Sequence, residues 1–207
     1  MRIRDTLAIT LNSFGQLLAG FELKFGIESP FIDIDTVLPG ELYDSCRWEF
    51  FNSRSLANPD RDGYPPILWQ AVAIAQVSPG EQGPICYGWD GEVSLVKLVV
   101  TSEHVTRIPD TVAPIFFFWE DCTDNSISGK SGDTLAISAK VFDFYKTENK
   151  RDDVPFPNST GALDDCINSN KPNRPHRLIE FHNGGVVFRL DVGNTNADSS
   201  QTDTIKK

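Results

Sequence analysis

Few side chains in this sequence are spaced for chemistry. His176, Glu180 and His182 fall on one face of an extended segment, a residue set that suits a metal ion. Positions four residues apart on a strand are separated by about 13 Å, too far to share one ion. Only Glu180 and His182 are close enough together, and a solvated strand face is the simpler reading. A second group, Glu120, Asp121, Asp124 and Asn125, crowds one loop, and the stretch Asn58-Pro59-Asp60-Arg61-Asp62-Gly63 is similar. Calcium takes oxygen ligands of this kind from flexible loops. Neither stretch has the D-x-[DN]-x-[DN]-G order followed by a spaced glutamate. Asx-turn and capping roles suit them better. No cofactor is therefore expected, with a structural calcium as the alternative. No G-x-S-x-G is present, and the three histidines form no recognisable triad. Among 29 acidic residues, carboxylate pairs arise by chance. The chain reads as non-catalytic.

The four cysteines, Cys46, Cys86, Cys122 and Cys166, contain no C-x-x-C pair, whereas tetrahedral zinc sites usually show close-spaced ligands. Each lies near polar or turn residues. Two disulfides formed in an oxidising compartment fit this spacing, against four free thiols in a cytosolic protein. Four cysteines allow three connectivities. Cys46–Cys86 with Cys122–Cys166 is the one preferred. Among the aromatics, Trp69 sits in an apolar run and reads as core. Tyr87 and Trp89, in the glycine-rich stretch Cys86-Tyr87-Gly88-Trp89-Asp90-Gly91, are the candidates for an exposed contact, including stacking on sugar rings. Asn158-Ser159-Thr160 forms a glycosylation sequon.

A formal charge of −10 and a pI near 4.7 disfavour nucleic acid and anionic lipid as partners. No run of about 18 apolar residues exists, so no membrane insertion is expected. The segment Leu7 to Gly20, preceded by Arg2 and Arg4, mimics a secretory leader, but Asp5, Asn12, Ser13 and Gln16 interrupt it. It is read as strand.

The elements that must hold these residues are strands. Leu7, Ile9 and Leu11 alternate with polar or small neighbours, and Asn12 to Gly15 makes a turn. Phe21, Leu23, Phe25 and Ile27 alternate with Glu22, Lys24 and Gly26, a half-buried strand. Further strands are expected at 31–37, 46–51, 67–76, 93–101, 115–119, 134–145, 177–181 and 186–190, with one helical turn at 41–44. The run ILWQAVAIAQ (67–76) is apolar on both faces, as a central strand would be. Polar loops are expected at 52–66, 77–92, 120–133 and 146–174, the third joining the apolar run Ile115 to Trp119 to the amphipathic one from Thr134. His182-Asn183-Gly184-Gly185 is expected to turn a hairpin. With 40% hydrophobic residues the chain can build one core, giving a single domain over residues 1–193. Residues 194–207, almost without apolar side chains, are expected to form a disordered tail or linker.

Five blocks carry a family resemblance: AGFELKFGIES (19–29), PGELYDSCRWEFFNSR (39–54), LWQAVAIAQ (68–76), PIFFFWEDCTDNSISGKSGDTLAISAKVFDF (114–144) and HRLIEFHNGGVVF (176–188). Together they resemble a divergent group of cohesin-like domains from predicted secreted bacterial proteins that also carry dockerin modules. The resemblance spans about residues 6 to 190. It implies an all-β jelly-roll sandwich of about nine strands, and an extracellular or cell-surface module that binds a protein partner, a calcium-loaded dockerin, through one sheet face. The chain departs from the family in its long cysteine-bearing loops and shortened first strand, and no motif maps onto the dockerin-contacting positions. A carbohydrate-binding module on a similar sandwich, with polysaccharide as ligand, is the alternative.

Overall fold

The computed structural model describes residues 3–27, 29–57, 67–78, 82–102, 111–119, 124–142 and 175–188. Eleven strands and one short helix lie in these segments. Three strands, β1 (Ile3–Asn12), β6 (Glu92–Ser102) and β3 (Ile32–Pro39), form an antiparallel sheet in the order β1-β6-β3. The larger sheet runs β10 (His176–His182), β9 (Leu135–Phe142), β8 (Ser126–Gly129), β2 (Leu18–Ile27), β5 (Ile67–Ile74) and β4 (Phe50–Ala57). The strand β7 (Thr111–Phe117) joins it by pairing with the far end of β2, and β11 (Gly184–Phe188) pairs with β7. The chain is thus an all-β sandwich.

Alternation places the core. On β2, Phe21, Leu23 and Phe25 point inward, and the opposed β5 residues are Ala73, Ala71 and Trp69. Two alanines opposite two large side chains leave room for Trp48, whose ring centroid lies 6.1 Å from that of Phe21. From the small sheet, Val37, Val96, Leu98 and Val100 fill the other half of the same core. The helix α1 (Glu41–Cys46) caps one end and buries Leu42 and Cys46 completely. Its start is fixed by Gly40. A Cβ there would lie 2.3 Å from the Ser94 carbonyl oxygen, so only glycine brings the two backbones this close.

Several boundaries differ from the sequence reading. The strand expected at 46–51 is divided, because Cys46 ends α1 and β4 starts only at Phe50. β4 then continues through Asn52-Ser53-Arg54-Ser55, expected as loop. It is the edge of its sheet and pairs with β5 residue by residue from Phe50↔Ile74 to Ala57↔Ile67, so backbone pairing holds it without an apolar pattern. The short β8 lies inside the polar loop expected at 120–133, and its serines alternate with the buried Ile127.

The expected hairpin at 182–185 is absent. β10 pairs with β9 in parallel, while β11 pairs with β7 in antiparallel fashion. A two-residue hairpin needs positive φ in its turn, and neither Gly184 nor Gly185 adopts it. Asn183 instead hands the chain from one neighbour to the other. Its N–H donates to the Phe142 carbonyl (2.8 Å), and its Oδ1 accepts the Phe117 N–H (3.0 Å). Residues 194–207, Cys122, Cys166, the 58–63 stretch and the sequon at 158–160 lie outside the described residues.

Candidate docking face

In an antiparallel sheet, residues opposite each other project from the same face. The pairs Phe50↔Ile74, Ile74↔Gly20, Gly20↔Ser128 and Ser128↔Leu135 therefore set five residues in one row across β4, β5, β2, β8 and β9. A second row on the same face is Asn52, Val72, Glu22 and Ser126, and a third is Arg54, Gln70 and Lys24. The row between the first two, Phe51, Ala73, Phe21 and Ile127, points into the core. These three rows lie on the outer side of the large sheet, and the third is covered at its Lys24 end.

That surface has an apolar centre. Phe50 and Ile74 are each 39% exposed, with Val72 and Leu135 half-buried beside them. Gly20 makes a dip in the middle of the first row. A Cβ at this position would sit 2.9 Å from the Ala73 carbonyl oxygen and 3.1 Å from Ser128 Oγ. The result is a shallow groove floored by Gly20 and bordered by Ile74, Val72, Leu135, Ser126 and Ser128. On one side runs a polar rim in which Arg54 Nε donates to Gln70 Oε1 (2.9 Å) and Gln70 Nε2 donates to Glu22 Oε1, linking three strands. Past the rim the face closes over: Leu68 is 1% exposed, and Lys24 and Asp124 are both buried.

The residues singled out from sequence lie elsewhere. Cys46 and Cys86 form a disulfide that ties the end of α1 to the loop before β6. Hydrogen bonds flank it, from the Ile85 N–H to the Cys46 carbonyl (2.9 Å) and from Trp48 Nε1 to the Cys86 carbonyl (3.3 Å). Tyr87 and Trp89 follow in that loop, but both are half-buried against the core rather than open to solvent. The Tyr87 ring is covered by the Lys130 ammonium, 4.3 Å from its centroid, and its hydroxyl donates to Gln76 Oε1 (3.2 Å). On β10, His176, Leu178, Glu180 and His182 are all exposed. His182 stacks flat on Phe142 at 4.6 Å, and Glu180 stands opposite Lys140. Among the described residues no three His, Cys, Asp or Glu side chains are grouped as metal ligands.

Of the acidic loop, Asp124 and Asn125 are described, and both serve the sheet. Asn125 Oδ1 accepts the Lys24 N–H (2.7 Å) and its Nδ2 donates to the Phe118 carbonyl (2.7 Å). The side chain thereby bridges the gap where β2 changes partner from β8 to β7. The groove residues Gly20, Phe50, Ile74 and Leu135 carried no sequence signal of their own. A doubly apolar β5 pattern hides which face is covered, and only the register shows that Ile74 stands in the open.

Comparison with known proteins gives structural neighbours only. No protein-family model matches the sequence, and no curated protein does. A type I cohesin–dockerin complex from Clostridium thermocellum contains a chain similar to this one at 12% identity, over 62% of this chain and 78% of that chain, with a TM-score of 0.43. The seventh ScaB type I cohesin from Pseudobacteroides cellulosolvens is similar at 11% identity, over 64% and 73% of the two chains, with a TM-score of 0.39. These neighbours are cohesin structures, the family that the five sequence blocks resemble.

Proposed function

We propose that this domain is a non-catalytic docking module of an extracellular assembly, and that it receives a dockerin-type protein partner on the outer face of its large sheet. The observation that carries the reading is the open row Phe50–Ile74 beside the Gly20 dip, with the Arg54–Gln70–Glu22 rim at its border. An apolar centre inside a polar rim is the general anatomy of a protein–protein interface. Hydrogen bonding within the rim holds the long polar side chains in place before binding, which lowers the entropic cost of association. The sequence resemblance to cohesins supports the choice of partner class, and the Cys46–Cys86 bridge supports an oxidising location.

The test is titration calorimetry of the full chain against a panel of dockerin modules, with calcium and with EDTA. Ile74→Arg and Phe50→Arg are run in parallel. The expected outcome is calcium-dependent binding that each variant weakens by about 30-fold or more, the effect of losing a central interface residue. Equal binding by wild type and both variants would move the interface off this face. No binding to any dockerin would overturn the partner class.

A further inference from the structure

Lys24 and Asp124 come from positions 100 residues apart and meet below the rim of the large sheet. Their side chains are 6% and 8% exposed. Nζ lies 2.9 Å from Oδ1 and 3.0 Å from Oδ2. A nitrogen nearly equidistant from both carboxylate oxygens sits within the roughly 3–3.5 Å of the carboxyl carbon that reaction requires. The backbone around the pair is held on both sides. The Lys24 N–H donates to Asn125 Oδ1 (2.7 Å), the Phe118 N–H donates to the Lys24 carbonyl (2.9 Å), and Asn125 Nδ2 closes the ring on the Phe118 carbonyl (2.7 Å). Asn125 holds a positive φ of 56° at zero exposure, so the residue next to Asp124 is locked in one conformation.

We infer that Lys24 and Asp124 are a self-processing pair that condenses to an intramolecular isopeptide bond. Two features of the geometry serve this. A proton passing from Nζ to a carboxylate oxygen along the existing hydrogen bond generates the neutral amine–acid form. The fixed geometry replaces a bimolecular encounter with an intramolecular one, the source of very high effective molarities. The reaction balances without a co-reactant. Rotation about Cβ–Cγ of Asp124 turns the carboxyl face toward Nζ. The amine lone pair forms the new C–N bond at Cγ, the C–OH bond breaks, and the hydroxyl leaves as water with a proton from the nitrogen. The product amide carries no charge, so the desolvation cost of the ion pair disappears. It also ties β2 covalently to the segment entering β8, across the point where β2 changes partner.

The test is the intact mass of the full chain after reduction and denaturation. The expected result is a mass lower than that of the sequence by one water, with a branched proteolytic fragment joining the peptides that contain Lys24 and Asp124. The missing water should persist after hydroxylamine treatment, which opens a succinimide but leaves an amide intact. Lys24→Arg, which keeps the positive charge but cannot condense in this way, should restore the full mass. Wild-type protein at full sequence mass, or a water loss that hydroxylamine reverses, would overturn the proposal. The wild-type measurement decides the question even where the variant does not fold.

Discussion

Removal of the Cys46–Cys86 bridge should destabilise the domain by an amount fixed mainly by the length of chain it closes. The two cysteines are 40 residues apart. Loop-closure entropy for about 40 residues amounts to roughly 13 cal/mol/K, or about 4 kcal/mol at 25 °C, which the bridge removes from the unfolded state. The figure is a ceiling, because residual contacts in the unfolded chain reduce it. The closed segment starts at the last residue of α1 and contains all of β4 and β5, so the effect acts on two paired strands of the large sheet rather than on a loop tip. The perturbation is the double variant Cys46→Ala/Cys86→Ala, which leaves Cys122 and Cys166 untouched. With a urea m-value of about 2 kcal/mol/M, the midpoint should fall by up to about 2 M. The melting temperature should fall by about 10 °C. Chemical reduction of the wild type should reproduce most of the shift. A change below about 1 kcal/mol, with the variant folded, would show that the bridge does not restrain the unfolded chain as argued.

Three further outcomes are expected. Phe14 is 86% exposed at φ +50° in the β1–β2 turn, so it bears left-handed strain without burying its ring. Phe14→Asn, which creates an Asn-Gly turn, should stabilise the protein by about 1 kcal/mol in urea unfolding. Asn125→Ala strands the Lys24 N–H and the Phe118 carbonyl in a buried site and puts a methyl group at positive φ. It should cost about 3–4 kcal/mol, and Asn125→Gly should recover only the backbone share. The Asp133 carboxyl is held below its ordinary value of 3.8 by hydrogen bonds from the Ser131 hydroxyl and then the Thr134 hydroxyl. A depressed folded pKa contributes stability that is present above 3.8 and is lost as pH falls through the folded value. Asp133→Asn should therefore be slightly less stable than wild type at neutral pH. Denaturant midpoints of the two proteins should converge in strong acid.

Much of the strand content was legible because one-sided burial writes an alternating pattern. Phe21, Leu23 and Phe25 face the core as that pattern requires, and the doubly apolar 67–76 run is a central strand flanked on both sides. The same logic failed where pairing replaced burial. β4 holds four consecutive polar residues because an edge strand needs only its neighbour's backbone. β8 is too short to show a period. The glycines after Asn183 suggested a turn, but the side chain of Asn183 and the backbones of Phe117 and Phe142 keep the chain extended. Tyr87 and Trp89 showed the same limit, since a glycine-rich neighbourhood does not reveal that both pack partly against the core and that Lys130 lies over the Tyr87 ring.

The sequence by itself determined the all-β class and the core strands of the sandwich, because periodicity is a local sum over residue types. Only the tertiary structure decided which partners meet. It put Lys24 against Asp124, Asn125 across the gap in β2, and Phe50 beside Ile74 in one row with Gly20. Such meetings depend on register, where a shift of one residue turns every side chain to the opposite face, and no single segment carries that information.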